Sequence, residues 1–128
     1  MPLTFDDGLG VHMRAVLLRA RRSEVLAANL VNADTPHYLA RDMDFRAALG
    51  QARDRIAMQV THVHHSSGGQ DGPAALLYRM PMQPSVDGNT VDPHVEKTAF
   101  MQNALHYEVS LTFLGGRINT LLAAIRGE

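Results

Sequence analysis

Seven histidines are the side chains with the most obvious chemistry, and three of them, His62, His64 and His65, lie within four consecutive positions. Neutral imidazole is a common ligand of zinc, copper and nickel, so this cluster, with His12, His37, His94 and His106 elsewhere, raises a metal-binding reading. Its surroundings argue against it. No HExxH is present, no carboxylate stands at helical spacing from the cluster, and Ser66-Ser67-Gly68-Gly69 reads as a mobile loop rather than rigid support for ligands. Solvated loop histidines fit better, and neither a metal nor a cofactor is expected. Hydrolytic and phosphoryl-transfer chemistry fare no better. The chain has no cysteine, no GxSxG and no glycine-rich phosphate cradle followed by lysine, and its single lysine, Lys97, falls inside a predicted helix. The sequence therefore reads as non-enzymatic.

The basic residues are spent unevenly, with Arg14, Arg19, Arg21 and Arg22 crowded near the start. Arginine suits bidentate protein contacts, although a solvated helix face is the plainer reading. Nucleic acid is not an expected partner. Twelve basic side chains stand against 13 acidic ones, Glu24, Asp6 and Asp7 dilute the arginines, and only 5% of residues are aromatic. With 128 residues, 45% of them hydrophobic and 20% charged, the chain has the size of one domain and enough apolar side chains to order. No run approaches the roughly 20 apolar residues of a membrane span. Met1 to Gly10 lacks the basic and apolar regions of a secretory signal, so export, if it occurs, is expected to use another route. The absence of cysteine leaves the compartment open.

The elements that must position any functional residue can be read from punctuation and period. From about Leu9 to Asn32 there is no proline, and Val11, Leu18 and Val25 recur every seven residues, which predicts a long first helix. Asn32-Ala33-Asp34-Thr35-Pro36 ends it, because proline cannot continue a helix and Asn and Asp form local side-chain turns. After a short extended piece, Asp42 or Asp44 can cap a second helix, whose Phe45, Ala48, Leu49, Ala52 and Ile56 make one face apolar. Between Met58 and Val91 the chain turns to loop composition, with Ala74 to Met80 as the one candidate short strand or helical turn. Asp92 as N-cap, Pro93 at the first helical position and Glu96 in the first turn then announce a closing helix to about Ile125.

Along that last helix Phe100, Ala104, Tyr107, Leu111, Leu114, Ile118, Leu121 and Ile125 alternate in steps of four and three, a heptad seam. At about 1.5 Å per residue the helix is about 50 Å long, against a diameter of about 36 Å for a compact domain of this size. It must project and find cover, either on the first helix, through Leu18 and Val25, or on neighbouring subunits. Gly115-Gly116 interrupts it at about 1 kcal/mol each, so helicity there needs tertiary support, through close helix approach or as a flexible joint.

The fold expected is mainly α: long N- and C-terminal helices pairing in a coiled-coil-like rod domain, a short central helix, and an irregular, in part β, connection. The divisions are 1–32 for the first axial helix, 33–45 for a corner, 46–92 for the central helix and linker, and 93–128 for the second axial helix, together one assembly-dependent domain.

The run from Asn29 to Phe45, containing Asn32, Ala33, Asp34, Thr35, Pro36, Tyr38, Arg41 and Asp42, resembles the N-terminal signature of flagellar axial proteins, and its Ala-Arg-Asp-x-Asp-Phe continuation resembles the proximal-rod FlgB family. A second stretch, Asp87, Gly88, Asn89, Thr90, Val91 and Asp92 with Glu96 beyond and Asn103 and Tyr107 inside the closing helix, resembles the C-terminal signature. Thr61, His64 or His65, and Tyr78-Arg79 before Pro81 are similar to central landmarks, so the likeness spans nearly the whole chain. Two positions depart from the pattern: His37 stands where the family usually has glycine, and Val31 where it often has alanine.

The resemblance implies a structural subunit of the bacterial flagellar basal-body rod, which crosses the periplasm and carries torque. Its implied partners are other rod subunits, basal-body ring or adaptor proteins, copies of itself and the flagellar type III export apparatus. The Asn29–Phe45 run would be the corner that redirects the chain, and Asp87–Asp92 the turn back into the closing helix. Another rod or adaptor protein of the same superfamily is the nearest alternative, and a His-loop metal-binding protein the more remote one.

Overall fold

The computed structural model describes residues 5–53, 75–81 and 83–127. In chain order these form α1 (Phe5–Val31), β1 (Arg41–Met43), α2 (Phe45–Arg53), β2 (Leu76–Tyr78) and α3 (Pro93–Arg126). The mainly helical plan is the one expected. The group His62, His64 and His65 lies outside the described residues, as do Thr61 and the Ile56 end of the α2 pattern.

Helix α1 begins earlier than the sequence pattern suggests, because Gly8 and Gly10 lie inside it. Glycine costs a helix about 1 kcal/mol, too little to stop one that has a second helix alongside. Its C-terminus obeys the stop signal. Asn32 Nδ2 donates back to the Ala28 carbonyl at 2.8 Å, and the Thr35 hydroxyl donates to Asn32 Oδ1 at 3.1 Å. Asp44 is the cap of α2, its Oδ1 accepting from the Arg46 and Ala47 amides at 3.0 Å each. Asp42 is engaged elsewhere.

Asp92 Oδ1 accepts from the His94 and Val95 amides, Pro93 follows at the first helical position, and α3 runs unbroken through Gly115-Gly116 to a left-handed Gly127 at φ 77°. A Cβ placed on either of the paired glycines meets nothing within 4 Å among the described residues.

Helices α1 and α3 run antiparallel: Asn29 meets Glu96, Arg19 and Ser23 meet Asn103, and the His12 and Phe113 rings are 6.4 Å apart. That register sets the start of α1 level with about residue 120, so the last turns of α3 reach past it.

Strands β1 and β2 pair antiparallel, Arg41 opposite Tyr78 and Met43 opposite Leu76, against the α1 C-terminal half. The fully buried interior is small and largely polar. Leu26, Ala40 and Met43 are its apolar members among the described residues, whereas Asn29, Asn89, Glu96 and Asn103 are buried polar or charged side chains.

Candidate functional site

The buried polar groups converge where the end of α1, the β1–β2 pair and the start of α3 meet. Antiparallel pairing alternates backbone groups toward and away from the partner strand. Arg79 donates its amide to the Ala40 carbonyl at 2.9 Å, so the next residue, Arg41, turns its own groups away from β2. Asn29 takes both of them. Its Oδ1 accepts from the Arg41 amide at 3.1 Å and its Nδ2 donates to the Arg41 carbonyl at 2.7 Å, so a helix side chain acts as a third strand. The same Nδ2 reaches Glu96 Oε2 at 3.2 Å, and the Tyr38 hydroxyl approaches Asn29 Oδ1 at 3.5 Å.

Glu96, 1% exposed, receives Arg79 Nη1 on its other oxygen. Arg79 Nη2 continues to Asp42 Oδ2 at 2.6 Å, and Arg22 from α1 closes on the same carboxylate in a fork, Nε to Oδ1 at 2.9 Å and Nη2 to Oδ2 at 2.8 Å. Two cations and two anions thus tie α1, β1, the end of β2 and α3 into a chain of zero net charge, with bidentate geometry at Arg22.

Burial pushes the Asp42 carboxyl up, but hydrogen bonds from Arg22 and Arg79, the Arg22 charge and the Met43 amide outweigh it and hold Asp42 below the ordinary value. The Asp42 hydrogen bond in turn holds Arg22 above its usual value, against its burial.

The turn before α3 makes the second half of the corner. Asn89 Nδ2 shares its hydrogens among the carbonyls of Asn32, Ala33 and Thr35 at 3.1, 2.7 and 3.0 Å, all in the turn that follows α1. The two turns also pair directly, the His37 amide with the Asp87 carbonyl at 3.0 Å and the Thr90 amide with the Tyr38 carbonyl at 3.0 Å. The Thr90 hydroxyl accepts from the Ala40 amide at 2.7 Å. His37 lies in the left-handed region at φ 61°, facing Gly88 at φ 71°, where an added Cβ would come within 2.9 Å of His37 Nδ1. The departure from glycine at position 37 therefore costs backbone strain, which histidine carries better than a β-branched residue.

Of the expected corner residues, Asn29 and Asp42 are internal links, Ala40 is buried between them, and Asp34, Thr35, Pro36 and Arg41 stay exposed, Arg41 with its guanidinium 5.5 Å from the Tyr78 ring centre. Phe45 is half-buried under the Arg19 guanidinium, 4.1 Å from its ring centre. In the second stretch Asn89 and Glu96 are buried, Thr90 and Val91 half-buried, and Asp87, Gly88 and Asp92 exposed. Along the heptad seam, Tyr107, Leu114 and Leu121 are half-buried with Leu18 and Val25 of α1, while Phe100, Ala104, Leu111, Ile118 and Ile125 are exposed. The line of α3 lying deepest against α1 runs one step to the side, through Glu96 and Asn103.

Arg22 and Arg79 of the corner network, and Ser23, which holds Asn103 further along the helix pair, were not among the site residues expected from the sequence. Glu96 and Asn103 stand seven residues apart, one heptad, and this spacing is the signal that places both on one buried line. No nucleophile stands beside a free base in this network, since each charged group is held by an opposite one. Among the described residues no group of His, Cys, Asp or Glu could hold a metal ion. The arrangement can fix an angle between chain segments.

The chain is 47% identical over 127 aligned residues to the flagellar basal body rod protein FlgB of Cereibacter sphaeroides, covering 97% of this chain and 98% of the relative. The chain belongs to the FlgB family of flagellar basal body rod proteins. The FlgB of Aeromonas hydrophila is 40% identical, with 100% and 99% covered, and that of Escherichia coli 42%, with 94% of each covered. No protein-family model matches the chain. As an FlgB-family member it is a component of the flagellar basal-body rod, and no described helix is long and apolar enough to cross a membrane.

Proposed function

We propose that this chain is a non-enzymatic building block of the proximal rod that polymerises helically with copies of itself and other rod subunits, and so carries torque across the periplasm. One observation carries the reading. Helix α3 has α1 as its helical neighbour along most of its length, yet it exposes apolar side chains on other sides as well, Phe100, Leu111 and Ile118 on one and Met101, Leu105 and Phe113 on another. Exposed apolar side chains grouped on more than one side of a helix mark interaction surfaces. Among the described residues the one further helix, α2, packs chiefly on α1, so neighbouring subunits are left to cover these surfaces.

The corner gives the long helices a fixed relation to each other, so torque delivered to one is passed to the other rather than lost in bending. Long helices with a small buried core also unfold cheaply, which suits passage through the flagellar type III export channel. A contact between different patches on adjacent subunits that does not close by rotation makes a tube.

The test is a strain deleted for this chain and complemented with a tagged copy. Motility should be restored and the tagged chain should copurify with basal bodies stripped of filament. Restored motility with the chain absent from purified rods would overturn the assignment.

A further inference from the structure

Besides the heptad seam, α3 carries a second apolar row. Met101, Leu105, Val109 and Phe113 follow one another at intervals of four, and every one is at least 50% exposed. Residues at i±4 form a ridge inclined to the helix axis, whereas a heptad seam runs almost along it. The row therefore winds obliquely away from the seam and ends beside α1, where Phe113 nears His12.

Helix α1 has a matching row on the side away from α3. Met13 and Leu17, again four apart, are each at least 50% exposed, and Arg21 extends the row. Met13 and Leu17 stay exposed, so α3 of the same molecule leaves them uncovered. Two i±4 ridges interdigitate at a crossing of about −50°, the commonest helix packing in globular proteins. The charges agree: exposed Arg21 borders one row, exposed Glu108 borders the other, and among the described residues neither has an ionic partner.

We propose that the α1 row of one subunit packs across the α3 row of a second copy of this chain, with Leu17 seated between Leu105 and Val109. The inference rests on the rod reading and adds the surfaces that the copies use. Because the rows are different patches, each subunit offers one of each, and the contact propagates instead of closing into a pair. The seam remains available for other neighbours.

The chain has no cysteine, which makes the contact directly testable. Cells expressing Leu17→Cys with Val109→Cys in one chain, or Met13→Cys with Leu105→Cys, are oxidised with copper phenanthroline, and basal bodies are purified. Either double variant should give a ladder of dimers, trimers and larger species, while Leu17→Cys alone stays monomeric. Adding Arg21→Glu to the first double variant should cut the cross-linked fraction at least threefold, and further adding Glu108→Lys should restore it.

Basal bodies that contain the chain but yield no cross-link from either pair would overturn the contact and leave the rod reading standing. Cross-linking of Leu17→Cys alone, showing α1 against α1, or of this chain to a different rod protein instead of itself, would overturn it likewise. Absence of the chain from basal bodies would remove the rod reading and the contact together.

Discussion

Glu96 shows at the residue scale how this molecule differs from an ordinary small globule. A first-turn glutamate complements the helix dipole from the surface, but here the side chain is swallowed whole and survives because Arg79 and Asn29 satisfy its two oxygens. Truncating one partner of a buried pair leaves an uncompensated charge, at a cost of about 3–5 kcal/mol. Arg79→Met should therefore collapse the urea midpoint of the corner, whereas Glu96→Gln, which keeps a hydrogen-bonding oxygen and amide, should cost about 1–2 kcal/mol. Equal losses would argue against a charged network.

Asp42 makes the same network acid-sensitive. Its folded pKa lies below the ordinary 3.8, so it contributes stability that is full above that value and is lost as pH falls through the folded one. Amide exchange at β1 should accelerate on acidification below about 4, and Asp42→Asn should flatten that dependence while loosening the corner at neutral pH. His37, held at φ 61°, is a third residue-scale test: His37→Gly should stabilise the chain by about 1 kcal/mol in thermal or urea melts, since a left-handed L-residue costs about that much.

At the scale of elements, the two paired glycines are the informative feature of α3. Among the described residues nothing lies within 4 Å of a Cβ added at either position, so Gly115→Ala and Gly116→Ala should each raise helix stability of the isolated protein by about 1 kcal/mol, read as ellipticity at 222 nm. The helices themselves could be read from their ends, because Asp92-Pro93, Asp44 and Asn32 to Pro36 act through neighbours a few residues away, and such chemistry is visible in a linear text. The Ala74–Met80 segment contained its strand, Leu76–Tyr78, for the same reason.

What joins the elements was not visible. Arg22 finds Asp42 at a separation of 20 residues, Asp42 finds Arg79 at 37, and Asn29 finds Glu96 at 67. No local pattern announces such partners, and Arg22 looked like one arginine among four on a solvated face. The deepest line of α3 was equally hidden, since a seam chosen by apolarity passes beside Asn103, whose amide bonds the Arg19 carbonyl and the Ser23 hydroxyl. A buried asparagine between paired helices fixes register at some expense of stability.

On the scale of the whole molecule, the distribution of side chains is inverted relative to a self-sufficient domain: polar groups fill the centre of the corner, and large aliphatic and aromatic ones line the outside of the long helices. Burying a leucine or phenylalanine is worth about 1.5–3 kcal/mol each, so the stabilisation available from covering α3 exceeds what this interior supplies. On the rod reading proposed above, folding and assembly are parts of one process, with the corner as the piece each subunit brings already formed and the far end of α3 as the piece its neighbours complete.

Hydrogen exchange read residue by residue, first on the dilute protein and then on purified basal bodies, tests that claim most directly. The account predicts slow exchange around Asn29, Ala40 and Glu96 in both samples, but fast exchange from about Leu105 to the end of α3 in the isolated chain that becomes at least a hundredfold slower in the rod. A monomer already protected along the full length of α3 would contradict it.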